Sequence, residues 1–252
     1  MNIKRGSLVL LITCSVLLGA CKSTEVAQEP KSMEDELIEK HLTARGGLEN
    51  IRAVESMTWN GNVSVMGMDL PLTIYMKRPN KMRSEVLVLQ MNIEIITGFD
   101  GETAWAINPM ISSAPQKMPD TQTRLTQDQA DMDGPLVDYK EKGYTVEYMG
   151  EEDVRGTNAH KLKISRPERA DAFVYLDAET FLIVKAEGEG VDPQTGGMVQ
   201  TRTYTSDYRE VNGLMVAHAI EVESPQMTQK IQLESVKVNA DIDDALFAFP
   251  QQ

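Results

Sequence analysis

From Met57 onward the apolar residues of this chain recur at every second position, and that period limits what it can fold into. Residues 57–66 alternate in this way, and so do residues 68–77. Successive side chains of a β-strand point to opposite faces, so a period of two gives a strand with one apolar face. We therefore expect a mainly β protein rather than a helical one.

The same pattern continues to Val238, with turn signals such as Asn212-Gly213 between the segments. About ten or eleven antiparallel strands with no linker between them favour a single sandwich or barrel. In the last strand, 230–238, the apolar phase switches between Leu233 and Val236, which predicts a β-bulge.

Two segments have helical spacing instead. The first is predicted over 33–45, where Ser32 caps the start and Gly46-Gly47 ends the helix. The second is predicted over Thr126–Tyr139. Between the strands and that second helix, residues 108–120 contain three prolines and are expected to form no regular structure.

The first twenty residues have the organisation of a secretory signal. Lys4 and Arg5 form a basic head, and the apolar stretch Leu8–Leu18 that follows is too short to span a bilayer. The exit from this stretch resembles the lipobox of bacterial lipoproteins, in which the next cysteine, here Cys21, is acylated. A plain signal peptide with a chance cysteine is the alternative.

This interpretation divides the chain into a signal at 1–20, a lipidated cysteine with a flexible tether at 21–32, and a folded domain at 33–252. Two or more acyl chains anchor a protein stably to a membrane. Lys22 follows the cysteine, whereas aspartate there favours inner-membrane retention in the proteobacterial lipoproteins that the segment resembles. We expect a lipoprotein of the cell envelope, facing the periplasm from the outer membrane.

The charge balance excludes some partners. The net charge is −13, and loss of Lys4 and Arg5 with the signal lowers it to −15. Binding to nucleic acid and to anionic headgroups depends on Lys and Arg, so no nucleic-acid partner is expected.

No catalytic constellation is present in the sequence. His41, His160 and His218 have no Cys, Asp or Glu partners at metal-ligand spacing, and there is no GxSxG elbow, P-loop or dinucleotide fingerprint. We predict a binding protein without catalytic residues, metal or cofactor.

Methionine is abundant, at 15 residues, whereas aromatic residues make up only 6%. The methionines either fill an ordinary core or line a cavity that accepts varied apolar shapes such as acyl chains. Trp105 is open to either role. The candidate cavity residues are Met68, Leu70, Leu72, Ile74, Met76, Val86, Val88, Ile93, Ile95 and Trp105.

Four further motifs occur in a fixed order. Met76-Lys77-Arg78-Pro79-Asn80 precedes Asp100-Gly101-Glu102-Thr103-Ala104-Trp105 and Asn108-Pro109, and Asp244-Ala245-Leu246-Phe247-Ala248-Phe249-Pro250 comes last. Together they resemble the LolA/LolB-like outer-membrane lipoprotein-sorting family over about residues 50–250.

That resemblance implies an unclosed β-barrel of about eleven strands, with helices forming a lid over a hydrophobic cavity. The predicted helices 33–45 and Thr126–Tyr139 would be the lid. Arg78 matches the arginine that bonds to the lid in the family; a solvated arginine at a strand end is the alternative. Pro79 and Pro109 are expected to set strand ends.

The resemblance further implies that the cavity binds acyl chains of lipoproteins or lipids during sorting to the outer membrane. It leaves open whether the client is a lipoprotein, a free lipid or another envelope protein. Two rival functions are an envelope-stress sensor like RseB, which normally carries a second C-terminal domain, and a non-transporting assembly protein with a collapsed cavity.

Overall fold

The computed structural model describes residues 31–192 and 196–250. The predicted signal, Cys21 and most of the predicted tether lie outside these residues. Ser32 onward forms one compact unit.

In the described residues, thirteen strands form one antiparallel sheet, two or three more than the sequence predicts. Its order is β6-β5-β4-β3-β2-β1-β13-β12-β11-β10-β9-β8-β7. No pairing joins β6 to β7 in the described part of the chain, so the sheet is an unclosed barrel, as expected. The strands are β1 Ser56–Val65, β2 Met68–Lys77, β3 Lys81–Val88, β4 Ile93–Phe99, β5 Ala104–Asn108, β6 Ser112–Lys117, β7 Thr145–Val154, β8 Thr157–Ser165, β9 Ala172–Asp177, β10 Ile183–Val191, β11 Met198–Val211, β12 Leu214–Glu223 and β13 Thr228–Val238.

Over the part of the chain that the structure describes, three α-helices accompany the sheet: α1 Met33–Ala44, α2 Leu48–Arg52 and α3 Asp120–Ala130. A short 3₁₀ turn, Asp244–Leu246, follows β13. The predicted cap of the first helix is confirmed, because the Ser32 side chain accepts a hydrogen bond from the Asp35 amide. Gly46 follows that helix with φ +119°, a conformation that glycine tolerates best.

Two predictions about residues 108–139 are wrong. Residues 112–117 form β6, because this is an edge strand, where Pro115 removes no hydrogen bond that the sheet needs. The helix predicted over Thr126–Tyr139 begins six residues earlier, at Asp120, and ends at Ala130. Asp131 already has extended backbone, with φ −73° and ψ 92°, and Pro135 disfavours helical backbone at the preceding Gly134, so the helix does not resume.

The predicted bulge in the last strand is confirmed. Asn60 of β1 pairs with Ser235, and the next residue, Gly61, pairs with Leu233, so Glu234 is the extra residue.

Because neighbouring strands are antiparallel, the connections fall at two ends of the sheet. We call the end with the β1–β2, β3–β4 and β5–β6 hairpins the open end; the β8–β9, β10–β11 and β12–β13 connections lie there too. The other end, which holds the β2–β3 and β4–β5 connections, we call the closed end.

An apolar core fills the closed end. Ile51 of α2 and Val54 pack there against the strand termini that meet at this end. These termini contribute Met57, Met76, Met82, Phe99, Ala104 and Leu214, all buried. A helix too short to be stable alone is thus held by the face that it buries.

Candidate functional site

A large cavity, about 630 Å³, lies between α3 and the inner face of the sheet. Sites for small ligands commonly enclose roughly 300–1,000 Å³. Its lining is part apolar and part polar rather than wholly hydrophobic. The lining residues are Thr97, Met118, Gln122, Leu125, Thr126, Gln129, Ala186, Glu187, Gly188, Glu189, Gly190, Val191, Thr201, Thr203, Val222, Ser224, Met227 and Gln229.

Small side chains on β10 and β11 create this space. Ala186 pairs across the strands with Thr203, and Gly188 pairs with Thr201, so this part of the inner face carries no large residue. A Cβ added at Gly188 meets only the Ala172 Cβ, at 3.9 Å, which is an ordinary contact. The absence of bulk, rather than an excess of apolar residues, therefore opens the cavity.

The opposite wall of the barrel is aliphatic. Leu70, Leu72 and Val88 are buried there with Val63 in one cluster, and Ile74, Val86, Ile93 and Ile95 pack against it half-buried. Cross-strand pairing puts Leu72, Val86 and Ile95 on one face, and Thr97, which lines the large cavity, lies on that same face of β4. The predicted aliphatic residues thus form a continuous inner wall, but none of them lines the large cavity, which reaches β2, β3 and β4 only at Thr97.

Met68 and Met76 lie at the two ends of this face. Met68 is 40% exposed beside the β1–β2 turn. Met76 is buried and lines a second cavity of about 250 Å³, which also touches His41, Trp59 and Met132.

Trp105 does not lie on this inner wall. It pairs with Gly98, on the face of β5 opposite to Ala104 and the closed-end core. The C-terminal segment covers it, and its Nε1 donates a hydrogen bond to the Phe247 carbonyl oxygen at 3.0 Å. Trp105 therefore fixes the C-terminal segment to the outside of the barrel and contacts none of the described cavities.

Arg78, at the closed end of β2, bonds to the segment that follows α3. Its Nη1 and Nη2 donate to the two carboxylate oxygens of Asp133 at 2.8 and 2.6 Å. The same guanidinium donates to the carbonyl oxygens of Val54 at 2.5 Å and Ile51 at 3.0 Å. A planar fork that binds a carboxylate bidentately is the strongest geometry for such a pair.

The pKa values agree with a tight ion pair. The hydrogen bond that Arg78 donates to Asp133 is the main cause that raises the pKa of Arg78. Burial alone would raise the pKa of Asp133, but the hydrogen bond and charge of Arg78 hold it below its ordinary value. The solvated alternative for Arg78 is not what the structure shows.

Two further cations hold the same segment. Arg45, just after α1, donates from Nη1 to the Asp133 carbonyl oxygen at 2.6 Å. Lys142 donates to an Asp131 carboxylate oxygen at 2.5 Å and to the Gly134 carbonyl oxygen at 2.7 Å. The residues that follow α3, 131–134, are therefore held by hydrogen bonds from Arg45, Arg78 and Lys142.

The face of α3 nearest to the β8–β9 connection is fastened separately. Asp128 accepts a hydrogen bond from Arg166 at 2.9 Å and a second one from Arg169. Gln122, near the start of α3, donates to the Gly196 carbonyl oxygen at 3.3 Å. We call residues 120–134, which these contacts tie across the barrel, the α3 segment.

The histidines do not converge on one site. His41 is buried with Nδ1 2.9 Å from the Phe181 carbonyl oxygen, whereas His160 stacks on the Phe181 ring and His218 Nδ1 bonds to the Val216 carbonyl oxygen. No group of three or more His, Cys, Asp or Glu residues in the described part of the chain is placed to hold a metal ion. Over residues 31–192 and 196–250, no helix has the length and apolar character to cross a membrane.

Sequence reasoning missed the wall formed by β10 and β11 and the partner of Arg78. The stretch Glu187-Gly188-Glu189-Gly190 places glycine at alternate positions, which is a signal for one bare strand face. Nothing local to Arg78 identifies Asp133, which lies 55 residues away in the chain.

Comparison with solved structures gives similarities over most of the domain. One similar structure is a LolA superfamily protein from Nitrosomonas europaea, 13% identical, with a TM-score of 0.57 over 86% of this chain and 98% of that one. A second is a DUF1329 family protein from Desulfovibrio piger, also 13% identical, with a TM-score of 0.57 over 85% and 96%.

A third similar structure is described as an outer membrane lipoprotein-sorting protein domain from Vibrio parahaemolyticus. It is 9% identical, with a TM-score of 0.54 over 84% of this chain and 94% of that one. Neither the comparison with protein-family models nor that with curated proteins gives a match. At these identities the similarities show the fold, which is LolA-like.

Proposed function

We propose, from this LolA-like fold and the cavity beneath α3, that the protein binds acyl chains of lipoproteins or lipids at the periplasmic face of the outer membrane. The observation that carries the proposal is the 630 Å³ space between α3 and the sheet, beside a continuous aliphatic wall. In this proposal Cys21 is acylated and anchors the protein, and no residue is catalytic.

Burial of the chain supplies the binding free energy. Each methylene removed from water contributes ~0.8 kcal/mol, so a dozen of them contribute on the order of 10 kcal/mol. The aliphatic wall would contact the chain. Ser224 and Gln229 of the cavity would lie toward the more polar end of the ligand, because buried polar groups need hydrogen-bond partners.

A carrier must also release what it binds, and the α3 segment is the element that we propose as the lid. It covers the cavity through Leu125 and Thr126, and ion pairs hold both of its sides. Each net hydrogen bond contributes only ~0.5–1.5 kcal/mol, or up to ~3 kcal/mol when charged. Breaking a few such contacts to open the lid would therefore cost a free energy comparable with part of the acyl-chain binding free energy.

The test is native mass spectrometry of the full chain carrying Cys21→Ser, purified from the periplasm without detergent. Removal of the proposed acylation site avoids extraction from the membrane, which would strip a bound lipid. We expect a mass increment that corresponds to a lipid or an acylated peptide and is lost on extraction with organic solvent. A protein that is folded but carries no increment would contradict acyl binding and favour an assembly role.

A matched pair of variants tests the lid. Arg78→Leu removes the ion pair with Asp133 and should change the rate at which bound lipid leaves. Arg209→Leu removes an exposed pair with Asp207 and should leave that rate unchanged. Equal release rates in Arg78→Leu and the unaltered protein would contradict the lid role.

A further inference from the structure

Charged side chains are concentrated in a second pocket that adjoins the large cavity. This pocket, about 390 Å³, lies between α3, the β8–β9 connection and β10, and we call it the charged pocket. Leu125 and Glu189 line both spaces, so a ligand in the large cavity reaches the charged pocket at that boundary. The β8–β9 connection belongs to the open end of the sheet, as do Ser224 and Met227 of the large cavity. The polar end of a bound lipid would therefore lie near the charged pocket.

One carboxylate of the charged pocket is shared by two arginines. Asp128 accepts a hydrogen bond from Arg166 at 2.9 Å and another from Arg169. Asp128 therefore compensates only one of the two positive charges. The side chains of Arg166 and Arg169 are only 11% and 19% exposed, so water screens their attraction for a further anion less than it does at the surface.

The same two guanidiniums carry more donors than the protein satisfies. Each guanidinium has five N–H groups. Arg166 donates from Nη1 to Asp128 and from Nη2 to the Ala170 carbonyl oxygen at 3.0 Å. Its buried Nε has no hydrogen-bond partner in the described part of the chain, although buried polar groups usually have one. Protein acceptors therefore do not saturate the arginine pair.

Charges of both signs line the charged pocket without a partner. Arg124 is exposed on α3, Glu168 is exposed in the β8–β9 connection, and Glu189 is half-buried on β10. Over residues 31–192 and 196–250, none of these three side chains forms an ion pair or a hydrogen bond. With Asp128 and its two arginines, the pocket presents three guanidiniums and three carboxylates. It therefore suits a group that carries both charges better than a simple anion.

We infer that the charged pocket binds the headgroup of a zwitterionic phospholipid whose acyl chains lie in the large cavity. This inference rests on the proposed function and names its ligand class. The arginines would bind the phosphate, because a guanidinium fork matches phosphate oxygens. Glu168 and Glu189 would face the ammonium. An acylated cysteine carries no phosphate, so the inferred ligand is a free lipid and not a lipoprotein.

Three lipids with the same acyl chains test the headgroup. The full chain with Cys21→Ser is freed of bound lipid on a hydrophobic resin. It is then titrated with phosphatidylethanolamine, phosphatidylglycerol and diacylglycerol that each carry one short acyl chain labelled with nitrobenzoxadiazole. We expect phosphatidylethanolamine to bind roughly tenfold more tightly than either of the others, because phosphatidylglycerol leaves the two carboxylates without a cation and diacylglycerol lacks both charges.

Two variants with the same change of charge locate the effect. Arg124→Gln removes the exposed guanidinium of the charged pocket, and Lys237→Gln removes an exposed ammonium from β13 at the closed end. Arg124→Gln should lower the preference for phosphatidylethanolamine over diacylglycerol by roughly fivefold, whereas Lys237→Gln should leave this preference unchanged. Both positions are exposed, and circular dichroism checks that both variants are folded.

Equal affinities for the three lipids would overturn the headgroup inference and leave acyl binding intact. Binding of none of them by a folded protein would contradict acyl binding as well. Tighter binding of phosphatidylglycerol than of phosphatidylethanolamine would show that Glu168 and Glu189 face no cation, and it would also overturn the inference. An equal loss of preference in Arg124→Gln and Lys237→Gln would mean that the overall charge, and not this pocket, sets the preference.

Discussion

The closed and open ends of the barrel differ in how tightly their side chains pack. At the closed end, a buried core and the Arg78–Asp133 pair join α2, the strand termini and the α3 segment. At the open end, small residues on β10 and β11 leave space, and six apolar side chains face outward. A packed core therefore fills the closed end, whereas the large cavity, which we propose binds the ligand, lies beneath α3, so substitutions in the two regions should affect different measurements.

The largest change in stability is expected for Arg78→Leu. The side chains of Arg78 and Asp133 are only 23% and 17% exposed, so the variant leaves a largely buried carboxylate without its partner. We expect the free energy of unfolding to fall by about 3 kcal/mol in urea titrations at pH 7. Arg209→Leu, which breaks a pair exposed to 51% and 38%, should change it by less than about 0.5 kcal/mol. Equal losses in the two variants would contradict the view that the closed end stabilises the fold.

Substitution of two glycines, Gly98 and Gly188, allows the packing in the two regions to be compared directly. A Cβ at Gly98 would lie 2.2 Å from the Trp105 ring, whereas one at Gly188 meets only the Ala172 Cβ at 3.9 Å. We expect Gly98→Ala to lower the free energy of unfolding by about 2–3 kcal/mol. Gly188→Ala should leave stability unchanged or raise it by about 0.5 kcal/mol, because alanine loses less backbone freedom on folding. Thermal unfolding by circular dichroism measures both, and a loss of stability in Gly188→Ala would show that the cavity wall is tightly packed.

The free energy of unfolding should also depend on pH through His41. Burial lowers its pKa to about 4, and the hydrogen bond to the Phe181 carbonyl oxygen opposes this only in part. Between pH 6.5 and 4 the unfolded chain binds this proton and the folded one does not, so stability falls as the pH falls. At pH 5 this group alone should cost about 2 kcal/mol.

The measurement is urea unfolding at pH 7 and pH 5, for the unaltered protein and for His41→Gln. Glutamine keeps a donor for the Phe181 carbonyl oxygen but does not titrate, so the decline between the two pH values should be smaller in the variant. Declines of the same size would mean that His41 is protonated as easily in the fold as outside it.

The sequence predicts the inner wall well and the rest of the site poorly. Alternation at period two correctly groups Met68, Leu70, Leu72, Ile74, Met76, Val86, Val88, Ile93 and Ile95 on one face. It does not tell which face of β5 is inside, so the sequence leaves the role of Trp105 open, and the structure shows that Trp105 packs outside the cavity against the C-terminal segment. A strand pattern identifies faces, whereas closure of the sheet and the C-terminal segment decide which face encloses the space.

Long-range contacts are the second limit. The resemblance to known lipoprotein carriers predicts that Arg78 meets a lid, but Asp133 as its partner follows only from the path of the chain after α3. The cavity itself depends on small residues such as Gly188 and Thr203. A pattern of apolar residues does not identify them, because neither is a large apolar residue.

The central claim, that acyl chains occupy the space beneath α3, is tested most directly by filling that space. Thr203→Phe adds a ring to the inner face of β11 between Ala186 and Val222, and Arg202→Phe adds the same ring to the next residue, on the outer face. Fluorescence titration with cis-parinaric acid gives the affinity of each variant. We predict that Thr203→Phe weakens binding by roughly tenfold, since displacing two methylenes costs ~1.6 kcal/mol, while Arg202→Phe binds as the unaltered protein does. Unchanged affinity in a folded Thr203→Phe protein would contradict the claim.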